Sequence, residues 1–130
     1  MVRTVSSLLL AGSLGLLSGC LNGNNYPKQY ANAYCSSLYA CVDAEEIEFW
    51  TNYDDEDDCI ADVQSEMEDS TTYDQYEEGD RTFDGDNGSA CIEEADQIKD
   101  DSSCGDMNAL EFVADAATDE CNEVYPEAEE

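Results

Sequence analysis

The stretch from residue 27 to residue 41, PKQYANAYCSSLYAC, decides the fold that we predict for this chain. Its apolar side chains recur every three or four residues, which places them on one face of an α-helix. They are Tyr30, Tyr34, Leu38 and Cys41. The proline that opens the stretch fits the first helical turn, where its missing N–H costs no hydrogen bond. The sequence therefore predicts an amphipathic helix whose buried face carries a cysteine.

Helical spacing continues beyond this stretch. Acids crowd the start of residues 54–68, where the helix dipole favours negative charge, and an apolar stripe follows them. Between the two segments, Asp43 with Glu46 three residues later has the form of a helix cap. It predicts a short helical turn that carries Phe49 and Trp50.

Two more helices are predicted towards the C-terminus, over 89–99 and 105–121. The second has the more regular apolar stripe, formed by Met107, Leu110, Ala114, Ala117 and Cys121. Residues 69–89 are polar and contain glycine, so they predict a loop, with a brief extended piece at Thr82-Phe83. The predicted fold class is all-α: a small disulfide-linked bundle of about four helices.

The composition fits one domain with an unusual charge. Among 130 residues, 4 Lys or Arg face 33 Asp or Glu, so the formal net charge is −29, and histidine is absent. A Ser-His-Asp or Cys-His arrangement is therefore excluded, and the commonest general base is missing. The charge also opposes nucleic-acid binding, which needs cations for the phosphates. We expect no enzyme; the alternative is a small carboxylate-dependent hydrolase, although no pair of acids is singled out.

The first residues have the features of an export signal. Residues 1–3 carry one positive charge, and residues 4–19 are uncharged and rich in leucine. This run is shorter than the roughly 18–20 apolar residues of a spanning helix, and it contains several glycines. It therefore predicts a cleaved signal peptide rather than a membrane span.

The run ends in Leu17-Ser18-Gly19-Cys20, which resembles the lipobox of bacterial lipoproteins. The resemblance implies cleavage before Cys20 and attachment of three acyl chains to that residue, enough for a firm membrane anchor. Leu21 rather than aspartate follows, which by resemblance to Gram-negative sorting implies the outer membrane. The mature chain would lose Arg3 and no acid, leaving 111 residues with a net charge of −30.

The chain then divides into four predicted parts. Residues 1–19 are the signal peptide, 20–25 a short lipidated tether, 26–125 the acidic helical domain and 126–130 an acidic tail. The five residues that follow Cys20 reach only about 17 Å when extended, so the domain should lie close to the membrane in the cell envelope. A polar tether of this kind is expected to be flexible.

Six cysteines follow Cys20, and in an exported protein they predict disulfides. They are Cys35, Cys41, Cys59, Cys91, Cys104 and Cys121. A thiolate metal site is the alternative, but it needs close pairs such as C-x2-C, and the sequence contains none. Each disulfide would restrict the unfolded chain and so stabilise the fold by ~2–4 kcal/mol, which would offset the charge repulsion in so small a domain.

The spacing of the cysteines limits how they pair. Six cysteines allow 15 pairings. Cys35 and Cys41 are six residues apart on one predicted helix, about 9 Å of rise, which exceeds disulfide reach. Among the roughly 12 pairings that remain, we favour a bond between Cys41 and Cys59, which would join the first two long helices.

The order of the cysteines also resembles that of small lipoproteins from Gram-negative bacteria. Their pattern is a lipobox, a Y-C and C pair, D-C, F/Y-D with A-C, S-C and a last cysteine. The matching residues here are Tyr34-Cys35, Cys41, Asp58-Cys59, Phe83-Asp84, Ala90-Cys91, Ser103-Cys104 and Cys121. The resemblance implies a helical disulfide domain and no assigned activity.

Two acidic stretches make cation binding an alternative function. Residues 84–88, DGDNG, resemble the start of a calcium loop, but an EF-hand would need glycine and glutamate where Ser89 and Ala95 stand. The acids of 54–58 predict either loose binding of divalent cations or simply a solvated helix start. We therefore expect no tightly held metal and no other cofactor.

The expected function is that of a membrane-anchored envelope lipoprotein that presents a rigid acidic domain in an interaction or structural role. Its expected partners are the lipid membrane, through Cys20, and a cationic protein. Tyr39, Tyr73 and Tyr76 are candidates for a contact surface, since tyrosine suits interfaces. The alternative is that these three side chains pack on their own domain.

Overall fold

The computed structural model describes residues 21–129. Cys20 and the predicted signal peptide lie outside this range. Within it, regular structure is entirely helical, apart from an isolated bridge between Arg81 and Glu127. The all-α prediction is confirmed, but seven α-helices stand in the described range where about four were expected. None of the helices between residues 21 and 129 has the length and apolar character needed to cross a membrane.

The longest helix lies at the centre of the fold. In chain order the elements are α1 (Tyr26–Cys41), α2 (Ala44–Trp50), α3 (Glu56–Glu68), α4 (Thr71–Glu78), α5 (Gly85–Gln97), a 3₁₀ turn (Ile98–Asp100), α6 (Ala109–Ala116) and α7 (Asp119–Asn122). α1 packs most extensively against α3 and α5 and also contacts α6. α1, which the sequence predicted from residues 27–41, is therefore the central element of the fold.

Side-chain caps fix where five of the helices begin. In each, an oxygen of the capping residue accepts a hydrogen bond from a backbone N–H of the first turn, which has no partner within the helix. The caps are Asp43, Asp55, Ser70, Asp84 and Asn108. The predicted cap at Asp43 is confirmed. Of the acids predicted for the first turn of α3, Glu56, Asp57 and Asp58 lie in it, whereas Asp55 is the cap and Asp54 precedes the helix.

Two clusters of buried side chains form the core. The first cluster surrounds the C-terminal half of α1 and includes Cys35, Leu38, Ile47, Met107 and Phe112. The second cluster surrounds the N-terminal half of α1 and consists of Tyr26, Tyr73, Cys91, Val124 and Tyr125. Tyr34 packs against the first cluster and Tyr30 against the second, as expected for residues on the inward face of α1.

Three disulfides join all six described cysteines. They are Cys35–Cys59, Cys41–Cys104 and Cys91–Cys121. The predicted bond between Cys41 and Cys59 is therefore wrong. Six residues turn a helical side chain by about 240°. Cys35 consequently faces α3, while the sulfur of Cys41 lies 3.6 Å from the carbonyl oxygen of Ile98, on the other side of α1.

The predicted helix over 105–121 is wrong in its bounds. α6 starts only after the cap at Asn108 and stops at Ala116, and the short α7 follows. The buried face shifts accordingly: Phe112 is fully buried and Leu110, which the predicted stripe placed inside, is 72% exposed. The predicted stripe is wrong because its first member, Met107, lies in the loop before α6. Met107 is buried there, but its position does not indicate which face of α6 points inward.

The predicted loop over 69–89 contains a helix that the sequence did not suggest. α4 follows the cap at Ser70 and ends at Gly79, whose φ of +91° is a left-handed conformation that glycine adopts without strain. α5 begins four residues before the predicted start. At the extended piece expected at Thr82-Phe83, the backbone pairs with the C-terminal segment: Thr82 N–H donates to the carbonyl of Pro126.

Candidate functional site

Four large apolar side chains are exposed beside the first cluster. Phe49 is 78% exposed, Trp50 60%, Leu110 72% and Val113 52%. The first two end α2, the others lie on α6, and the two helices are in contact. We call these four residues the apolar surface. Single exposed apolar side chains are ordinary, but several together beside a groove are typical of an interaction site.

A groove of about 220 Å³ lies between α2 and α6. Its floor consists of the buried side chains of Leu38 and Ile47 together with part of Tyr34. Its exposed rims are Trp50, Leu110 and Val113. The groove therefore opens from solvent directly onto the first cluster, and both its floor and its rims are largely apolar.

Local sequence explains why the apolar surface is exposed. α2 spans only seven residues, and Ile47 is its one buried side chain, so Phe49 and Trp50 point away from the core. Their rings pack on each other edge to face, with centroids 5.2 Å apart. The Glu46 carboxylate accepts a hydrogen bond from the N–H of Ala109, the first residue of α6. That contact ties the start of α6 to α2.

The apolar surface lies in a negative field. α2 and α6 together carry five carboxylates and no lysine or arginine: Glu45, Glu46, Glu48, Glu111 and Asp115. The basic residues of the described range lie on other elements: Lys28 in the first turn of α1, Arg81 bonded to Gln75 and Tyr125, and Lys99 paired with Asp96. A surface with charge of one sign attracts the opposite charge, so this side of the domain draws cations towards it.

Tyr53, which also lines the groove, responds to burial and to carboxylates of α3. Burial, followed by the negative charge of Asp62, raises the pKa of Tyr53 to about 12. Its phenol is also hydrogen-bonded to the Asp62 side chain, so this hydroxyl of the groove lining is engaged within the domain.

The described part of the predicted tether is folded against the domain rather than free. Leu21 packs on the second cluster and against Gly88 of α5. The side-chain oxygen of Asn22 accepts hydrogen bonds from the N–H groups two and three residues later, at 2.9 and 3.0 Å. Tyr125 OH donates to the carbonyl of Gly23 at 2.7 Å. The described chain therefore begins at the second cluster, whereas the groove opens onto the first.

The acidic stretches considered for cations form helix starts. Asp84 accepts a hydrogen bond from the N–H of Asn87 at 2.9 Å, so the DGDNG stretch caps α5. Asp55 accepts from Asp58 N–H at 2.8 Å and begins α3 in the same way. In the part of the chain that the structure describes, no group of three or more His, Cys, Asp or Glu residues is arranged to hold a metal ion.

The three tyrosines considered as a contact surface pack on their own domain. Tyr73 is only 7% exposed. The ring centroids of Tyr73 and Tyr76 lie 6.0 and 5.0 Å from that of Tyr125 in the second cluster. Tyr39 packs, partly buried, against the first cluster. The alternative interpretation of these residues is therefore correct.

The sequence prediction missed the apolar surface. It places Phe49 and Trp50 on a helical turn without an orientation, and it places Leu110 inside. The pair Asn108 and Glu111, a cap residue with an acid three positions later, carried the missing signal. It sets the start of α6 at Ala109 and turns Leu110 outward.

No protein-family model, curated protein or solved structure matches the chain. Function is therefore inferred from the side chains themselves. The groove offers apolar contact area within a negative field, which is the chemistry of binding. Among the hydroxyls that line it, Thr51 Oγ1 is engaged in the fold, where it donates to the carbonyl of Ile47 at 2.6 Å.

Proposed function

We propose that this chain is an envelope lipoprotein, anchored by lipid on Cys20, whose acidic domain binds a protein partner without catalysing a reaction. The lipobox pattern of residues 17–20, behind an export signal, supports the anchor. Leu21 in the position after the anchor supports the outer membrane as its location. One observation carries the binding role: the apolar surface is exposed around an open groove.

The fold suits a domain held at one end. The chain enters at Leu21 on the second cluster, and the groove lies over the first cluster. α1 connects the two clusters over 16 residues, a length of about 24 Å. A protein anchored at residue 20 would thus present the groove on the side remote from the membrane.

Three disulfides make this domain suitable for an exposed position in the envelope. They link α1 to α3, α1 to the loop before α6, and α5 to α7. A mature net charge of −30 would otherwise favour an expanded chain. Cross-links of this kind persist in oxidising compartments, which agrees with export.

Membrane anchoring is tested by fractionation. Replacing the lipid-accepting thiol with a hydroxyl, Cys20→Ser, should move the full-length protein from the membrane fraction to the soluble fraction and abolish uptake of labelled fatty acid. A variant that stays in the membrane, together with a parent that takes up no fatty acid, would show that the anchor is not at Cys20.

Binding is tested by photo-crosslinking in native membranes. A photoreactive amino acid at Phe49 should give a discrete crosslinked product, because this side chain projects from the apolar surface. The matched control places the same amino acid at the exposed residue Thr72 on α4, remote from the groove, and should give none. Equal products from both positions, or none from Phe49, would contradict a binding role for this surface.

A further inference from the structure

We infer that the groove between α2 and α6 binds a cationic amphipathic helix of another protein. This inference rests on the proposed binding function and adds the chemistry of the partner. Apolar side chains of the partner helix would fill the groove over Leu38 and Ile47. Its lysine or arginine side chains would face the carboxylates of α2 and α6.

The shape of the groove suits one face of a helix. A short apolar channel between two helices accepts side chains that recur at i, i+3 or i+4 and i+7, the spacing of an amphipathic helix. Trp50 and Leu110, exposed on opposite rims, would close over those side chains. Tryptophan is enriched among the residues that contribute most of the binding energy at protein interfaces. The groove therefore supplies both a channel and an anchor residue.

Charge selects the partner. Glu45 and Glu48 on α2 and Glu111 on α6 are exposed, and neither helix carries a basic residue. An apolar helix with acids beside its apolar face would meet like charge on α2 and α6, whereas one with lysine or arginine would meet opposite charge. The attraction also raises the rate of encounter, in a way that salt screens.

Two other occupants fit the structure less well. A lipid surface would have to reach the groove, yet the chain leaves the domain at Leu21, on the other cluster. A second copy of this chain would bring the same acidic rims, and a mature charge of −30, against its own. A basic helix from another protein meets neither obstacle.

Trp50 makes the inference directly measurable, because it is the one tryptophan of the chain and stands on the rim of the groove. The lipidated full-length protein in detergent micelles is titrated with a tryptophan-free amphipathic peptide of leucine and lysine. We expect Trp50 emission to shift to the blue as the ring is covered, with saturation at micromolar peptide. A peptide with glutamate in place of each lysine should cause no shift, and a scrambled leucine–lysine peptide should bind at least tenfold more weakly.

Two sets of variants separate the apolar contribution from the charge contribution. Leu110→Ala with Val113→Ala removes exposed side chains, so the fold should be kept while affinity falls at least tenfold. Glu45→Gln, Glu48→Gln and Glu111→Gln together should weaken binding at least fivefold and reduce its salt dependence. The matched control neutralises three exposed acids of α4, Asp74→Asn, Glu77→Gln and Glu78→Gln, and should change affinity less than twofold.

The remaining outcomes overturn the inference. Equal losses from the two sets of charge variants, or no loss from Leu110→Ala with Val113→Ala, would mean diffuse attraction rather than a groove. A blue shift caused by phosphatidylglycerol vesicles alone would assign the surface to a membrane, and one that grows with protein concentration would assign it to a second copy. If Phe49 crosslinks in membranes while the basic peptide fails to bind, the proposed binding function stands and the cationic helix is wrong.

Discussion

Ser37 is the one fully buried polar side chain of the described chain, and it joins α1 to α5. Its hydroxyl donates to the carbonyl of Ala95 on α5 at 2.6 Å. Ser37→Ala should lower the free energy of unfolding by about 1–2 kcal/mol, because this interhelical hydrogen bond is lost without water to replace it. Chemical denaturation measures the change. The neighbouring Ser36 is only half-buried, so Ser36→Ala should change stability by less than about 0.5 kcal/mol, and equal effects would contradict the role of Ser37.

Buried tyrosines predict how stability responds to alkali. Burial, followed by the neighbouring Tyr34, raises the pKa of Tyr30 to about 12, and burial also raises the pKa of Tyr26 and of Tyr125. An unfolded tyrosine ionises near pH 10, so above that pH the folded state holds more protons than the unfolded state. Stability is therefore fully present below about pH 10 and is lost as the pH rises towards about 12.

The melting temperature measured against pH checks this expectation. It should stay level to about pH 9 and fall above about pH 10, and tyrosinate absorbance should appear together with unfolding. The variant Tyr30→Phe removes one of these groups and should make the fall shallower. Ionisation of all eight tyrosines near pH 10, with the fold intact, would show that they are not buried in solution.

Among the elements, the three disulfides differ in the length of chain that they close. Cys41–Cys104 spans 63 residues, while Cys35–Cys59 spans 24 and Cys91–Cys121 spans 30. Loop-closure entropy predicts a contribution of about 4 kcal/mol for the longest and about 3 kcal/mol for the shortest. We expect the double variant Cys41→Ala, Cys104→Ala to melt lowest. Thermal unfolding of the three double variants gives the order, and a lowest value for Cys35→Ala, Cys59→Ala would contradict it.

Elements with a long apolar stripe were predictable from the sequence. α1 and α3 appear close to their predicted bounds, because several apolar residues recur at helical spacing in each. The cap at Asp43 and the presence of α2 also follow from local signals. The pairing of the cysteines was not predictable, because it depends on which side of α1 each one faces and on which element packs there.

Short elements escaped the sequence prediction for a physical reason. α4 buries only one side chain, Tyr73, so its sequence shows no apolar repeat at helical spacing. Only the cap at Ser70 and the glycine at its end, Gly79, mark its bounds. In α6 the inward face depends on where the helix starts, which the Asn108 cap decides. The apolar surface was missed for the same reason: the start of α6 at Ala109 turns Phe112 inward and Leu110 outward.

At the scale of the whole molecule, charge should govern stability. In dilute buffer the chain, with a formal net charge of −29, experiences self-repulsion that salt screens. The Debye length falls from about 30 Å at about 10 mM salt to about 3 Å at about 1 M. With the disulfides intact, we expect the melting temperature to rise across this range of sodium chloride. A level response would show that the carboxylates are already far enough apart to be screened by water alone.

The two ends of the molecule have different chemistry. The second cluster receives the chain at Leu21 and is rich in tyrosine, whereas the first lies beneath an apolar groove flanked by acids.

Intact mass of the protein extracted from membranes, alkylated under denaturing conditions without reduction, tests the central claim most directly. A lipid-anchored, disulfide-linked domain should give a chain that begins at Cys20, with the added mass of a diacylglyceryl group and one further acyl chain. It should carry no alkyl group on any of the six later cysteines. A chain with an unmodified Cys20, or with alkylated thiols among those six, would contradict it.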